Sequence, residues 1–128
     1  MQHRDLAAGQ WSTLSLCEQM ANIGSEVERA IKWKSKNNQE YAYRAFIRAL
    51  ELLDLSLMDE KNRTRCKELC RVRETLADYF YFDNTYHSTD AAWHRYFHAF
   101  TWAAQRRRYD TAGGRLCTPV WKEKAANC

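Results

Sequence analysis

Apolar residues recur along this chain at alternating steps of three and four, the spacing that lines one face of a helix with 3.6 residues per turn. Leu16, Met20, Ile23, Val27, Ala30 and Ile31 make the first such line, and they predict a helix from about Ser12 to Lys34 with Ser12 as its N-cap. Gly24 falls inside this line, where it costs about 1 kcal/mol against Ala, and its position predicts close approach of another helix. The polar run Ser35, Lys36, Asn37, Asn38 ends the segment. Ala42, Ala45, Phe46, Ala49, Leu50, Leu53 and Leu57 predict a second helix from about Gln39 to Met58, with small positions alternating with large ones as interdigitated packing requires. Asp59 reads as the cap of a third helix, about Glu60 to Phe82, lined by Cys66, Leu69, Cys70, Arg73, Leu76, Ala77 and Phe80. After the loop Asp83 to His87, Ser88 or Thr89 caps a fourth helix, about Asp90 to Arg108, lined by Trp93, Tyr96, Phe97, Phe100 and Ala104.

Helices of this length joined by a few residues place neighbours antiparallel. The expected fold is all-α: an antiparallel up-down-up-down four-helix bundle over residues 12–110. A flexible N-terminal arm (1–11) without periodicity precedes it, and a basic, flexible C-terminal tail (111–128) with Gly113, Gly114 and Pro119 follows. Composition agrees, because 128 residues suit one domain and the single proline lies in that tail. No apolar run reaches the roughly 18 residues of a membrane span, and no secretory leader is visible. Five cysteines, an odd number, include Cys17, Cys66 and Cys70 at apolar helical positions. That usage suits reduced thiols in the cytoplasm, with Cys66 and Cys70 as core residues rather than half of a metal site.

Charge changes the picture from fold to partner. The net charge is +4, mildly basic, which permits nucleic-acid or acidic partners without requiring them. Arg29, Lys32, Lys34 and Lys36 close the first helix with no acid between them. Arg63, Arg65 and Lys67 open the third helix, and Arg106, Arg107 and Arg108 close the fourth. In an antiparallel bundle the last two clusters share one pole. These ten residues are the candidate nucleic-acid contacts, giving salt-sensitive and largely sequence-blind binding. The competing reading is that helix C-termini collect cations because of the macrodipole and that charge runs are solvated faces.

Ten of the 17 aromatics fall between Tyr79 and Trp102. Four in succession, Tyr79 to Phe82, cannot all face one core. Tyr79, Tyr81, Phe82, Trp102 and, in the tail, Trp121 are therefore the candidate interface for a homo-oligomer or a protein partner. His94 and His98 share a helix face but lack further ligands, so no metal or cofactor is expected. No phosphate-cradling glycine loop or nucleophile elbow is present, and no catalytic residue is assigned. Arg73, inside an apolar line, requires an acid, and Asp54 or Glu26 can supply it.

In outline, residues 12–108 resemble the accessory variability protein of diversity-generating retroelements. That resemblance implies a pentamer of four-helix bundles working with a reverse transcriptase and its template RNA. The segment Arg95-Tyr96-Phe97-His98 resembles the Arg and His of HEPN-like bundles, whose nuclease members separate the two by four to six residues. Two intervening residues here imply no HEPN ribonuclease activity. The expected function is a non-enzymatic accessory protein that binds RNA, DNA or a nucleic-acid enzyme such as a reverse transcriptase. The alternatives are a HEPN-like toxin–antitoxin or nucleotidyltransferase-partner component, and a protein–protein adaptor without a nucleic-acid role.

Overall fold

A computed structural model describes residues 9–111 of the chain, with side chains to residue 106. All of its regular structure is helical: α1 (Leu16–Ser35), α2 (Gln39–Met58), a 3-10 helix (Glu60–Arg65), α3 (Cys66–Tyr81) and α4 (Asp90–Thr111). Among the described residues no helix is long and apolar enough to cross a membrane.

The first helix begins three residues later than expected. Ser15, not Ser12, is its cap, because only Ser15 has a glutamate three positions on. The Ser15 hydroxyl accepts from the Glu18 N–H at 3.2 Å, and the Glu18 carboxylate accepts from the Ser15 N–H at 3.1 Å. Ser12 instead donates to the Gly9 carbonyl. At the other end Asn37 takes a left-handed φ of 60°. The Asn38 N–H then reaches back to the Trp33 carbonyl at 2.9 Å, and the Asn37 N–H to that of Lys34 at 3.1 Å. Asn38 also opens α2, its side chain accepting from the Tyr41 N–H.

α1 packs against both α2 and α4, and α2 also packs against α3. Met20, Ile23, Val27, Leu53, Leu69, Leu76, Phe97 and Phe100 form the best-buried part of one core. Gly24 is the close approach its position predicts: a Cβ there would lie 2.7 Å from Cβ of Phe97.

The third helical segment departs most from expectation. It begins as a 3-10 helix, so the α-helical register starts only at Cys66. Its buried line is Leu69, Val72 and Leu76, while Cys70 is exposed and Cys66 only half-buried. Cys70 is therefore not a core residue. Asn62 sets this rotation, because its carboxamide is buried and donates to Gln19 Oε1 at 2.7 Å and to the Ser56 carbonyl at 3.0 Å. Arg73 consequently flanks the core rather than crossing it. It binds Asp54 at 2.9 Å with both side chains more than two-fifths exposed (42% and 46%).

The same polar network holds the segment before α1. Gln19 donates to the Trp11 carbonyl at 3.0 Å and to Asp59 at 2.9 Å, and Trp11 Nε1 donates to the Ser56 hydroxyl at 2.9 Å. Residues 9–11 form a helical turn, and Trp11 is buried in the core. The end of the expected loose arm is thus docked, because the Ser56 hydroxyl accepts from an indole that would be costly to bury unpaired. Residues 1–8 and 112–128 lie outside the described residues, and with them most of the expected arm and tail.

Candidate nucleic-acid interface

The last turns of α1 and the first turns of α2 meet at the Asn37–Asn38 turn, and this junction brings cations and aromatics together. The rings of Trp33 and Tyr41 pack edge to face with centroids 4.9 Å apart. The Lys36 ammonium lies 5.4 Å from the Trp33 ring centre, and the Arg44 guanidinium 5.7 Å from that of Tyr41. Arg29 and Arg48 stand beside them. Arg29, Trp33, Tyr41, Arg44 and Arg48, with Glu26 and Ala45, line a shallow groove of ≈ 170 Å³.

Acids in the groove are fewer than guanidinium groups. Glu26 receives Arg29 at 3.2 Å and Arg48 at 4.0 Å, and Arg44 pairs with Glu40 at 2.6 Å. Arg29, Arg44 and Arg48 are all exposed. A guanidinium has five N–H donors, so one shared carboxylate leaves donors on Arg29 and Arg48 for a phosphate. Lys32 adds a further exposed charge. Of the first predicted cluster, Arg29 thus lines the groove and Lys36 lies against its Trp33 ring. Lys34 turns to α3 instead, 4.8 Å from the Tyr79 ring centre and 5.4 Å from that of Phe80.

Sequence reasoning missed Trp33, Tyr41, Arg44 and Arg48. Their signal was present in outline: Trp33 and Tyr41 stand off the apolar lines of their helices, each with a cation three residues away, Lys36 and Arg44. What the sequence does not display is that the two helices set these positions side by side.

The other predicted residues gather elsewhere. Arg63, Arg65 and Lys67 lie on the 3-10 helix and the start of α3, next to the Gln19–Asn62 network and away from the groove. Arg106 stacks on Trp102 at 5.8 Å. Arg107 and Arg108 are on α4, but their side chains, like Trp121, lie outside the described residues. Tyr79 is half-buried and its hydroxyl donates to the Asp90 carboxylate; burial, with that acceptor, pushes its pKa well above the ordinary value. Tyr81 packs on Tyr43 and Phe46, with centroids 5.5 and 4.8 Å apart. Phe82, just past the end of α3, and Trp102, on α4, are both exposed.

A second cleft of ≈ 420 Å³ between α1 and α4 holds Glu28, His94, Arg95 and His98, with the His94 imidazole hydrogen-bonded to Glu28. No group of three or more His, Cys, Asp or Glu that could hold a metal ion occurs among the described residues.

Comparison of the chain with protein-family models, with curated proteins and with solved structures finds no match.

Proposed function

We propose that this is a non-enzymatic accessory protein whose α1–α2 junction binds single-stranded RNA or DNA, alone or together with a nucleic-acid enzyme such as a reverse transcriptase. The observation that carries this reading is the Trp33–Tyr41 pair with Lys36 and Arg44 against its rings and Arg29 and Arg48 beside it. Unstacked bases stack on the exposed Tyr41 ring and the accessible part of half-buried Trp33, at about 1–3 kcal/mol per base, while phosphates take the guanidinium donors. Such contacts read backbone and ring surface, so binding is nearly sequence-blind and falls with salt. In the same reading the helices run up-down-up-down. The cross-helix pairs support it: Gln19 with Asn62, Gly24 with Phe97, Glu28 with His94, Phe46 with Phe80, and Asp54 with Arg73. In the neighbouring pairs, rising numbers on one helix meet falling numbers on the next. This arrangement is the one implied by resemblance to the accessory variability protein.

The test is fluorescence anisotropy with labelled single-stranded RNA and DNA at low and moderate salt. Saturable binding is expected, with each lost phosphate contact lowering the log–log salt slope by about 0.7. Joint reversal of Arg29 and Arg48 to Glu should abolish binding, and Trp33→Ala should weaken it about tenfold or more. Loss on reversing Arg106, Arg107 and Arg108 instead would move the site to the other end of the molecule. No binding at low salt overturns the reading, and cleavage of the RNA, dependent on Arg95 and His98, would favour the HEPN-like alternative.

A further inference from the structure

The first turns of α2 carry exposed aromatic rings on both flanks. Tyr41 and Tyr43 are two positions apart, so their side chains leave the helix about 200° from each other. Each meets a ring from a different neighbour. Tyr41 packs edge to face on Trp33 of α1. Tyr43 packs edge to face on Tyr81, the last residue of α3, with ring centroids 5.5 Å apart. Both rings of this second pair reach solvent, Tyr43 at 51% exposure and Tyr81 at 42%. Tyr81 is backed by buried Phe46, 4.8 Å away between centroids, and Phe46 by Phe80 at 5.4 Å. The pair therefore offers held ring surface, with little freedom left to lose when something lies on it.

Between the two ring pairs the outward side of α2 carries Glu40 and Arg44, bonded to each other at 2.6 Å and both exposed. An exposed pair of this kind contributes little, and one carboxylate leaves guanidinium donors open. Lys34 lies against Tyr79 and Phe80, on the same turn of α3 as Tyr81. Among the described residues no carboxylate pairs with Lys32, Lys34 or Lys36. Asp90 is engaged by the Tyr79 hydroxyl. Asp83, exposed two residues beyond Tyr81, limits the cationic surface on that side. Ring pair, cation, ring pair is the order base, phosphate, base of an unpaired strand. An apolar protein face would instead have to bury the Glu40–Arg44 pair, at a desolvation cost.

We propose that a single strand bound in the α1–α2 groove continues across the first turns of α2, with a second base stacked on the Tyr43–Tyr81 pair and the intervening phosphate held by Arg44. The two ring pairs flank one helix, about 10–12 Å across with its side chains, so a strand of about four nucleotides or more reaches both. The second position depends on the groove binding single strands, and it gives the strand a direction across the molecule.

Fluorescence anisotropy of the full chain with a labelled oligouridylate of about ten nucleotides tests it. Tyr43→Ala should raise the dissociation constant about tenfold, with helical circular dichroism unchanged, and Tyr43→Phe should leave it within about twofold, because stacking uses the ring and not the hydroxyl. On the unaltered chain, iodouracil placed in the strand should photo-crosslink to Tyr43 or Tyr81 as well as to Trp33 or Tyr41, a readout that needs no variant to fold. Unchanged affinity in a helical Tyr43→Ala chain, or crosslinks confined to Trp33 and Tyr41, overturns the second position and leaves the groove standing. No binding by the unaltered chain at low salt overturns the groove and the second position with it.

Discussion

At the scale of single residues, buried small and polar groups set the fold more narrowly than the apolar lines do. Gly24 allows α1 and α4 to meet with Phe97 directly against the backbone. Gly24→Ala gains helix propensity of about 1 kcal/mol but must push Phe97 away. The overpacking term wins, and a net loss of about 1–3 kcal/mol is expected in urea unfolding. Asn62 is 1% exposed, and its Nδ2 donates to both Gln19 and the Ser56 carbonyl. Asn62→Ala leaves Gln19 Oε1 and that carbonyl without these donors inside the core, at a cost of about 1–3 kcal/mol. Trp11 fluorescence should report the same loosening, because its indole rests on the neighbouring Ser56 hydroxyl.

At the scale of the element, helix ends rather than helix centres carried the departures from expectation. The capping box at Ser15 makes Ser15→Ala costly by about 0.5–2 kcal/mol, whereas Ser12→Ala should change thermal stability by much less. Asn37 tests the exit of α1: Asn37→Gly relieves the positive φ and should raise or preserve the melting temperature, while Asn37→Val should lower it. The centres of α1, α2 and α4 followed their apolar lines. α3 did not, because its line contained two adjacent readings. Cys66, Cys70, Arg73 and Ala77 form one stripe, and Leu69 and Leu76 the other, about one residue of rotation apart; Val72, which was not in the expected line, belongs with the second. Periodicity cannot choose between them. The 3-10 turn and the Asn62 bonds choose the second.

At the scale of the molecule, two carboxylates tie segments together and make stability depend on pH. Burial works to raise the pKa of Asp59, but hydrogen bonds from the Lys61 ammonium, Gln19 and the Lys61 N–H outweigh it and hold the net value below the ordinary one. Burial likewise opposes ionisation of Asp78, and the N–H groups of Thr85 and Tyr86 again reverse the balance. Both folded-state values lie below the unfolded value of about 3.9. The stability they contribute is complete above that value and is lost as pH falls through it toward the folded-state values. Thermal unfolding between about pH 6 and 2 should show this loss, and Asp59→Asn should flatten part of the slope.

Helical class, the number of long segments, the α1 core line and the Gly24 approach were all legible from the chain, because each depends on the chemistry of neighbours a few positions apart. The Asp54 partner of Arg73 was legible as one of two choices. The candidate groove was not, since Trp33 and Tyr41 become a platform, and Arg29 and Arg48 share Glu26, only when two helices lie side by side. The same holds for the separation of the basic residues into distinct ends. Local periodicity records how each helix divides its surface between oil and water. Which polar surfaces then stand together depends on helix rotation and rise, and here those are set by a few buried hydrogen bonds and one missing Cβ.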